Sequence, residues 1–256
     1  MPTNYISKMR FTGEMIYQEA QMTPANEATK DDRRLFAIGD IHGCSVALRT
    51  LLEAIDPRPN DTIVTLGDYV DWGPDSKDVI EQLIGLAKRC NLIPLLGNHE
   101  EMLLEALDSE PKLRSWLDRG GEETLNSYPY EGGDDIIPWN HVEFIRKCRD
   151  FYETSTHIFV HANYDPHLSL EYTGRTTLGW KFIEDENDLQ KHFSGKTVVV
   201  GHTPQVSGQV LNRGYLICID TDCSRGGWLT ALDVCGGAVF QANQEGQIRT
   251  SVLGQS

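Results

Sequence analysis

The chain has 256 residues, of which 39% are hydrophobic and 24% charged, and carries a net charge of −15 with a pI near 4.9. A chain of this length buries a core without disulfide or metal staples, and its acidity argues against nucleic acid and anionic membranes as partners, because both present phosphates. The same field repels anionic substrates at long range, so a phosphate-handling site here needs local positive charge, most simply bound cations.

Residues 1–33 are polar and weakly periodic and read as a flexible N-terminal arm. A single domain is expected over 34–256, opening on RLFAIGD, a short apolar strand that runs into a Gly-Asp turn. Ser45 to Ile55 then repeats apolar residues at helical spacing. TIVTLGD with the amphipathic stretch Lys77 to Arg89 repeats the strand-turn-helix pattern, as does NLIPLLGNHE with EMLLEAL. Successive βα units predict a partly parallel sheet covered by helices. The segment from about 111 to 150, with WLDRGGEETLNSY in its middle, reads as a helical cap-like insertion. HIFVHA, TVVVGH, YLICID, WLTALDV and AVFQA follow as strands, the last two joined at Gly236 and Gly237 in a hairpin. The six cysteines form no CxxC pair and read as reduced structural thiols. With no apolar run of membrane-spanning length and no signal pattern at the N-terminus, the expected location is the cytoplasm.

The chemistry gathers at strand ends. Asp40 and His42 lie in GDIHG, Asp68 in GDYVDWG, Asn98 in GNHE, His161 in FVHAN and His202 in VVVGHTP. In an open α/β sheet the carboxyl ends of strands meet at one crevice, so these distant residues can converge. Mixed oxygen and imidazole ligands without thiolate suit Mn, Fe or Zn, and a carboxylate such as Asp68 can bridge two cations. Taken singly, a strand-end His is more often a structural residue, and GNHE alone reads as a helix start with Asn98 as cap and Glu100 and Glu101 favouring the dipole.

Taken together, GDIHG, GDYVDWG, GNHE, VHA and GHTP resemble, in order and spacing, the signatures of the phosphoprotein phosphatase (PPP-type) metallophosphoesterases, over roughly Leu35 to Asp233. WLDRGGEETLNSY and HANYDP are more similar to the bacterial and phage-lambda branch. The resemblance implies an α/β (α+β) fold, a four-layer arrangement in which a central β-sandwich is flanked by helices. It implies that Asp40, His42 and Asp68 hold one divalent transition-metal ion and that Asp68, Asn98, His161 and His202 hold a second, with Mn the first choice and Fe or Zn the alternatives. Water activated between them then attacks phosphorus directly, while His99 acts as general acid and Asp71 orients and charges it. The implied activity is phosphoric monoester hydrolysis as a serine/threonine protein phosphatase, with phosphotyrosine as an additional substrate. The substrate is a phosphorylated protein or a small phosphoester.

One position departs from the family pattern. The residue after Asp71 is usually an arginine that grips phosphate, and here it is Trp72; a second clamping arginine is matched by Phe182 in GWKFIED. An indole offers one N–H and no charge, so charge must come from elsewhere, with Arg119, Arg175, Lys181 and Arg225 as candidates. Two other readings stay open: a nucleotide or diadenosine-polyphosphate hydrolase in which Trp72 stacks on a base, and a catalytically weak metal-binding protein that recognises a phosphorylated partner. Gly120 and Gly121 either shape a cap loop that turns Arg119 toward substrate or merely end one helix before the next.

Overall fold

The computed structural model describes residues 33–129, 136–184 and 189–254. The arm expected over 1–33 lies outside these, apart from Arg33. In chain order the elements begin β1 (Leu35–Ile38), α1 (Ser45–Ile55), β2 (Thr62–Thr65), α2 (Ser76–Leu86), β3 (Asn91–Pro94) and α3 (Asn98–Leu107). A helical stretch follows: α4 (Glu110–Trp116), a π-helical turn (Leu117–Gly121), α5 (Glu122–Ser127) and α6 (Trp139–Arg146). Then come β4 (Phe151–Glu153), β5 (His157–Val160), α7 (Arg175–Trp180), β6 (Thr197–Val200), β7 (Leu211–Asn212) and β8 (Leu216–Cys218). The chain closes with β9 (Asp220–Thr221), β10 (Trp228–Asp233), β11 (Ala238–Ala242) and β12 (Ile248–Val252).

Two sheets result. The first has the order β12-β11-β10-β1-β2-β3, with β9 beside β10, and the second the order β4-β5-β6-β8-β7. β1, β2 and β3 run parallel in one sheet, and β5, β6 and β8 run parallel in the other. The period-2 alternation of strand side chains explains the layering. Phe36, Ile38 and Ile63 face the helix layer of α1 and α2, whereas Ala37 and Val64 face the second sheet. On that sheet Phe159, Val199 and Ile217 point back into the sandwich, and Ile158, Val160, Val198, Val200 and Leu216 point outward. The outward layer is thin: Leu178 of the six-residue α7 covers it together with Tyr164, Leu170 and Ile183 from irregular chain. The mixed α/β sandwich expected from the sequence is the fold observed.

The predicted helix over 77–89 is shorter, ending at Leu86, because Lys88 and Arg89 donate to Gly85 and Leu86 carbonyls in tightened i→i+3 turns. The strands β4, β7, β9 and β12 were not predicted; three of them are two or three residues long, too short for any periodicity to register. The helices of 110–146 pack Trp116, Val142 and Ile145 into the core shared with α1, α2 and α3. All six thiols are free. Among the described residues no helix is long and apolar enough to cross a membrane.

Candidate active site

The loops after β1, β2, β3, β5 and β6 converge, and their backbone is unusual. His42, Asp68, Asp71, Trp72 and His202 all have positive φ, between 45° and 72°. Non-glycine residues seldom occupy this left-handed region, and they cluster where a site over-determines the conformation. Two glycines permit the close approach: a Cβ at Gly97 would overlap Asp68 Oδ1, and one at Gly201 would overlap Asp40 Oδ1.

The convergence brings Asp40, His42, Asp68, Asn98, His161 and His202 together. Asp68 sits in the middle, its Oδ2 3.4 Å from His42 Nε2 and its Oδ1 3.4 Å from His161 Nε2. Ligand-capable atoms of His42, Asp68 and His99 lie within 4.8 Å of one another, as do those of Asp68, His161 and His202. Each of the three converging imidazoles has one nitrogen against a backbone carbonyl: His42 Nδ1 at 2.9 Å from Val70 O, His161 Nδ1 at 2.8 Å from Leu66 O, and His202 Nε2 at 3.1 Å from Trp180 O. A carbonyl only accepts, so the N–H is on that side and the other nitrogen presents its lone pair inward.

The inward arrangement fits cations. His161 Nε2 lies 2.9 Å from Asn98 Oδ1 and 3.2 Å from His202 Nδ1, so lone pairs confront one another. Asp40 Oδ2 accepts from the His202 N–H at 2.9 Å, while its buried Oδ1 has no hydrogen-bond partner. Burial drives the charges the same way. It raises Asp40 and Asp68 well above the usual carboxylate range, helped by their repulsion of each other, of Asp220 and of Glu100. Burial also lowers His161 strongly, His42 to about 3 and His202 to about 4. Crowded acceptors that each resist their own charged form are what divalent cations would satisfy.

Beside this cluster, His99 Nδ1 meets Asp71 Oδ2 at 2.7 Å, and the His99 backbone N–H donates to Asp68 Oδ1 at 3.1 Å. Asp71 is fully buried and accepts from Trp116 Nε1 at 2.9 Å and from Thr124 Oγ1 at 2.6 Å. Thr124 is aimed by its other role, since Oγ1 accepts the Asp71 N–H at 2.8 Å and its own hydrogen must turn to the carboxylate. Burial raises Asp71 to about 7 against these donors, and burial, then the charge of Arg119, lowers His99 to about 4. Burial thus works against the charged form of each member of the pair, the carboxylate of Asp71 and the imidazolium of His99.

Several residues have partners that the sequence does not indicate, Glu100 among them, which reads there only as an acid in the first turn of a helix. Glu100 is fully buried and accepts the N–H groups of Asp68, Tyr69 and Gly97 at 2.7–3.0 Å, so it clamps the β2 loop onto the start of α3. Gly97, not Asn98, is the N-cap of that helix. Trp116 and Thr124 come from α4 and α5; only the WLDRGGEET motif hints at them. Asp220, buried beside Asp40, is raised to about 7 by burial.

The substrate candidates separate. Arg175 Nη2 donates to the Leu96 and Gly97 carbonyls at 3.0 and 3.1 Å, and Nε pairs with Glu101 at 3.0 Å, so its guanidinium braces the GNHE loop. Lys181 lines a cavity with Asn163, Tyr164, Phe182 and Leu189. Arg119 is exposed; among the described residues its guanidinium meets Met102 Sδ, and its charge is felt at His99. Trp72 is 42% exposed, with its ring 6.1 Å from that of His99, and Arg225 lies over it with Cζ 5.7 Å from the ring centroid. Phe182 is exposed and stacks on His202 at 4.2 Å. Gly120, at φ 102°, lies against the Trp72 backbone and Asp71, where a Cβ would come within 2.9 Å of Trp72 N. Gly120 thus seats the π-helical turn on the loop after β2, while Gly121 packs on the Trp116 ring.

The family of calcineurin-like phosphoesterases matches residues 33–234. The chain belongs to this family. It is a metallophosphoesterase of the phosphoprotein phosphatase type. Serine/threonine-protein phosphatase 1 of Salmonella typhimurium is 30% identical over 230 residues, which cover 85% of this chain and 96% of that protein. The symmetrical bis(5'-nucleosyl)-tetraphosphatase of Janthinobacterium sp. (strain Marseille) is 31% identical over 140 residues, 54% of this chain and 46% of that one. In fold the metallophosphoesterase is similar to a protein serine/threonine phosphatase from Saccharomyces cerevisiae, with a TM-score of 0.58, 16% identity, and coverage of 90% and 82% of the two chains.

Proposed function

We propose that this metallophosphoesterase hydrolyses phosphoric monoesters on proteins, chiefly phosphoserine and phosphothreonine, with phosphotyrosine as an additional substrate. The observation that carries the reading is the His99–Asp71 pair, 2.7 Å apart and buried, hydrogen-bonded through the His99 backbone to Asp68. In this reading Asp40, His42 and Asp68 hold one divalent cation and Asp68, Asn98, His161 and His202 a second, Mn first and Fe or Zn as alternatives. Such cations, when bound, polarise phosphoryl oxygens and lower the pKa of water to about 7. The chain supplies the rest. Asp71 fixes the proton of His99 at Nδ1, which leaves Nε2 to protonate the departing oxygen. Trp116 and Thr124 keep Asp71 anionic and in register, and Glu100 holds the loop that carries Asp68.

A second reading is favoured by two exposed aromatic faces, Trp72 beside His99 and Phe182 on His202. They suit a substrate that carries a ring, such as a dinucleoside polyphosphate, the type of substrate in the name of the Janthinobacterium relative. Protein reconstituted with Mn, Fe or Zn should be assayed on phosphopeptides, nitrophenyl phosphate and dinucleoside polyphosphates. The first reading expects turnover of phosphopeptides that a chelator abolishes and Mn restores. Turnover confined to dinucleoside polyphosphates selects the second, and full activity in metal-free protein sinks both.

A further inference from the structure

We infer that Arg225, laid across the indole of Trp72, is the residue that grips the phosphoryl group at this site, with Trp72 as its positioning platform. The inference rests on the phosphoesterase reading and adds to it the origin of the anion-binding charge. Arg225 ends a short 3₁₀ turn, Cys223–Arg225, held at both ends by left-handed residues, Asp222 at φ 63° and Gly226 at φ 88°. Cys223 is buried beneath the turn, and the Gly226 and Gly227 N–H groups close back on Cys223 and Asp222 carbonyls. The turn is therefore rigid, and it projects a long side chain.

Among the described residues the guanidinium has no carboxylate or carbonyl partner; its contact is the Trp72 ring at 5.7 Å. A guanidinium lying over an indole is attracted by the ring face, while its N–H groups, in the guanidinium plane, stay free to fork an anion. The position is right for that anion. The Trp72 ring is 6.1 Å from His99, and the charge of Arg225 is felt at His42 and at Asp220. Of the other cations, Arg175 holds two carbonyls and faces Glu101, and Lys181 lines the cavity of Asn163 and Tyr164. Arg119, exposed and felt at His99, is the remaining rival, and Arg225 differs from it in being seated on an aromatic platform. Arg225 lies over one face of the indole and leaves the other to solvent, so a compact anion would be gripped from the guanidinium side.

The test uses the full chain loaded with Mn and titrates inorganic phosphate by calorimetry, a readout independent of turnover. Loss of a charge-assisted bond should weaken phosphate about ten- to hundredfold in Arg225→Ala, with an intermediate loss in Arg225→Lys, which keeps charge but not the fork. Trp72→Ala should weaken phosphate in the wild type but add little in the Arg225→Ala background. Trp72→Arg in that background should restore affinity by placing a guanidinium beside His99. Unchanged phosphate affinity in Arg225→Ala, or fully additive losses in the double variant, overturns the inference. Phosphate binding by a wild type that hydrolyses no phosphoester sinks the hydrolase reading and leaves the grip intact, so the two failures are distinguishable.

Discussion

The two walls of the site are held by different means. On the side of β1, β2 and β3, side chains lock side chains: Glu100 gathers backbone N–H groups of two loops, and Trp116 and Thr124 fix Asp71, which fixes His99. On the side of β5 and β6, His161 and His202 each lean on a backbone carbonyl, Leu66 O and Trp180 O, and Phe182 rests on His202 from outside. The first wall is a connected polar network in which each member depends on the next. The second is a pair of set imidazoles with an aromatic rim. In the proposed mechanism the first wall would serve proton transfer, because a general acid must be held in one orientation, and the second would serve recognition, which needs only a surface.

The contrast can be broken by substitution. Asp68→Asn should cost the most, beyond the ~10²–10⁴-fold that general acid catalysis contributes, because Asp68 faces both imidazole groups; metal content and turnover measure it together. A variant that keeps full metal and rate removes Asp68 from the centre. His99→Asn should keep metal yet lose about 10²–10⁴-fold with a phosphoserine peptide. It should lose much less with nitrophenyl phosphate, whose leaving group hardly needs a proton; equal losses on both would deny His99 the acid role.

Thr124→Val tests whether α5 acts through Asp71. It removes one donor to a buried carboxylate, worth about 1.5–3 kcal/mol, so kcat on phosphopeptide should fall about ten- to hundredfold with KM little changed. A change confined to KM would place Thr124 against substrate instead. The smallest effect belongs to the second wall. Phe182→Ala should raise KM a few-fold to about tenfold for substrates that carry an aromatic ring, in line with ~0.5–1.5 kcal/mol for an aromatic pair, and leave alkyl phosphates unchanged. A comparable loss on alkyl phosphates would show that Phe182 serves His202 and not substrate.

These walls were unequally legible in the sequence. The converging residues could be read because each closes an apolar strand, a local pattern that a sheet turns into proximity. Phe159 and Val199 face the sandwich while their neighbours face outward, as alternation requires. Glu100 read only as an acid in a first helical turn, since its partners at 68 and 69 lie more than 30 positions upstream. Trp116 and Thr124 bond to Asp71 across 45 and 53 positions, a relation that no periodicity encodes. Arg175 read as a free cation, and it took the fold to bring the Leu96 and Gly97 carbonyls to it. Long-range polar partners depend on loop conformations such as the positive φ of Asp68 and Asp71, which these residue types only permit.

The close packing at Gly97 and Gly201 has a consequence for anyone who would redirect the enzyme. A Cβ at either position would overlap a carboxylate oxygen of Asp68 or Asp40, so these loops admit almost no variation. Trp72, Phe182, Arg119 and Arg225 are all exposed, and none of them hydrogen-bonds to the converging residues. A combinatorial library confined to those four codons should therefore return mostly folded clones with altered substrate preference. One spread over the glycine turns should return mostly inactive ones.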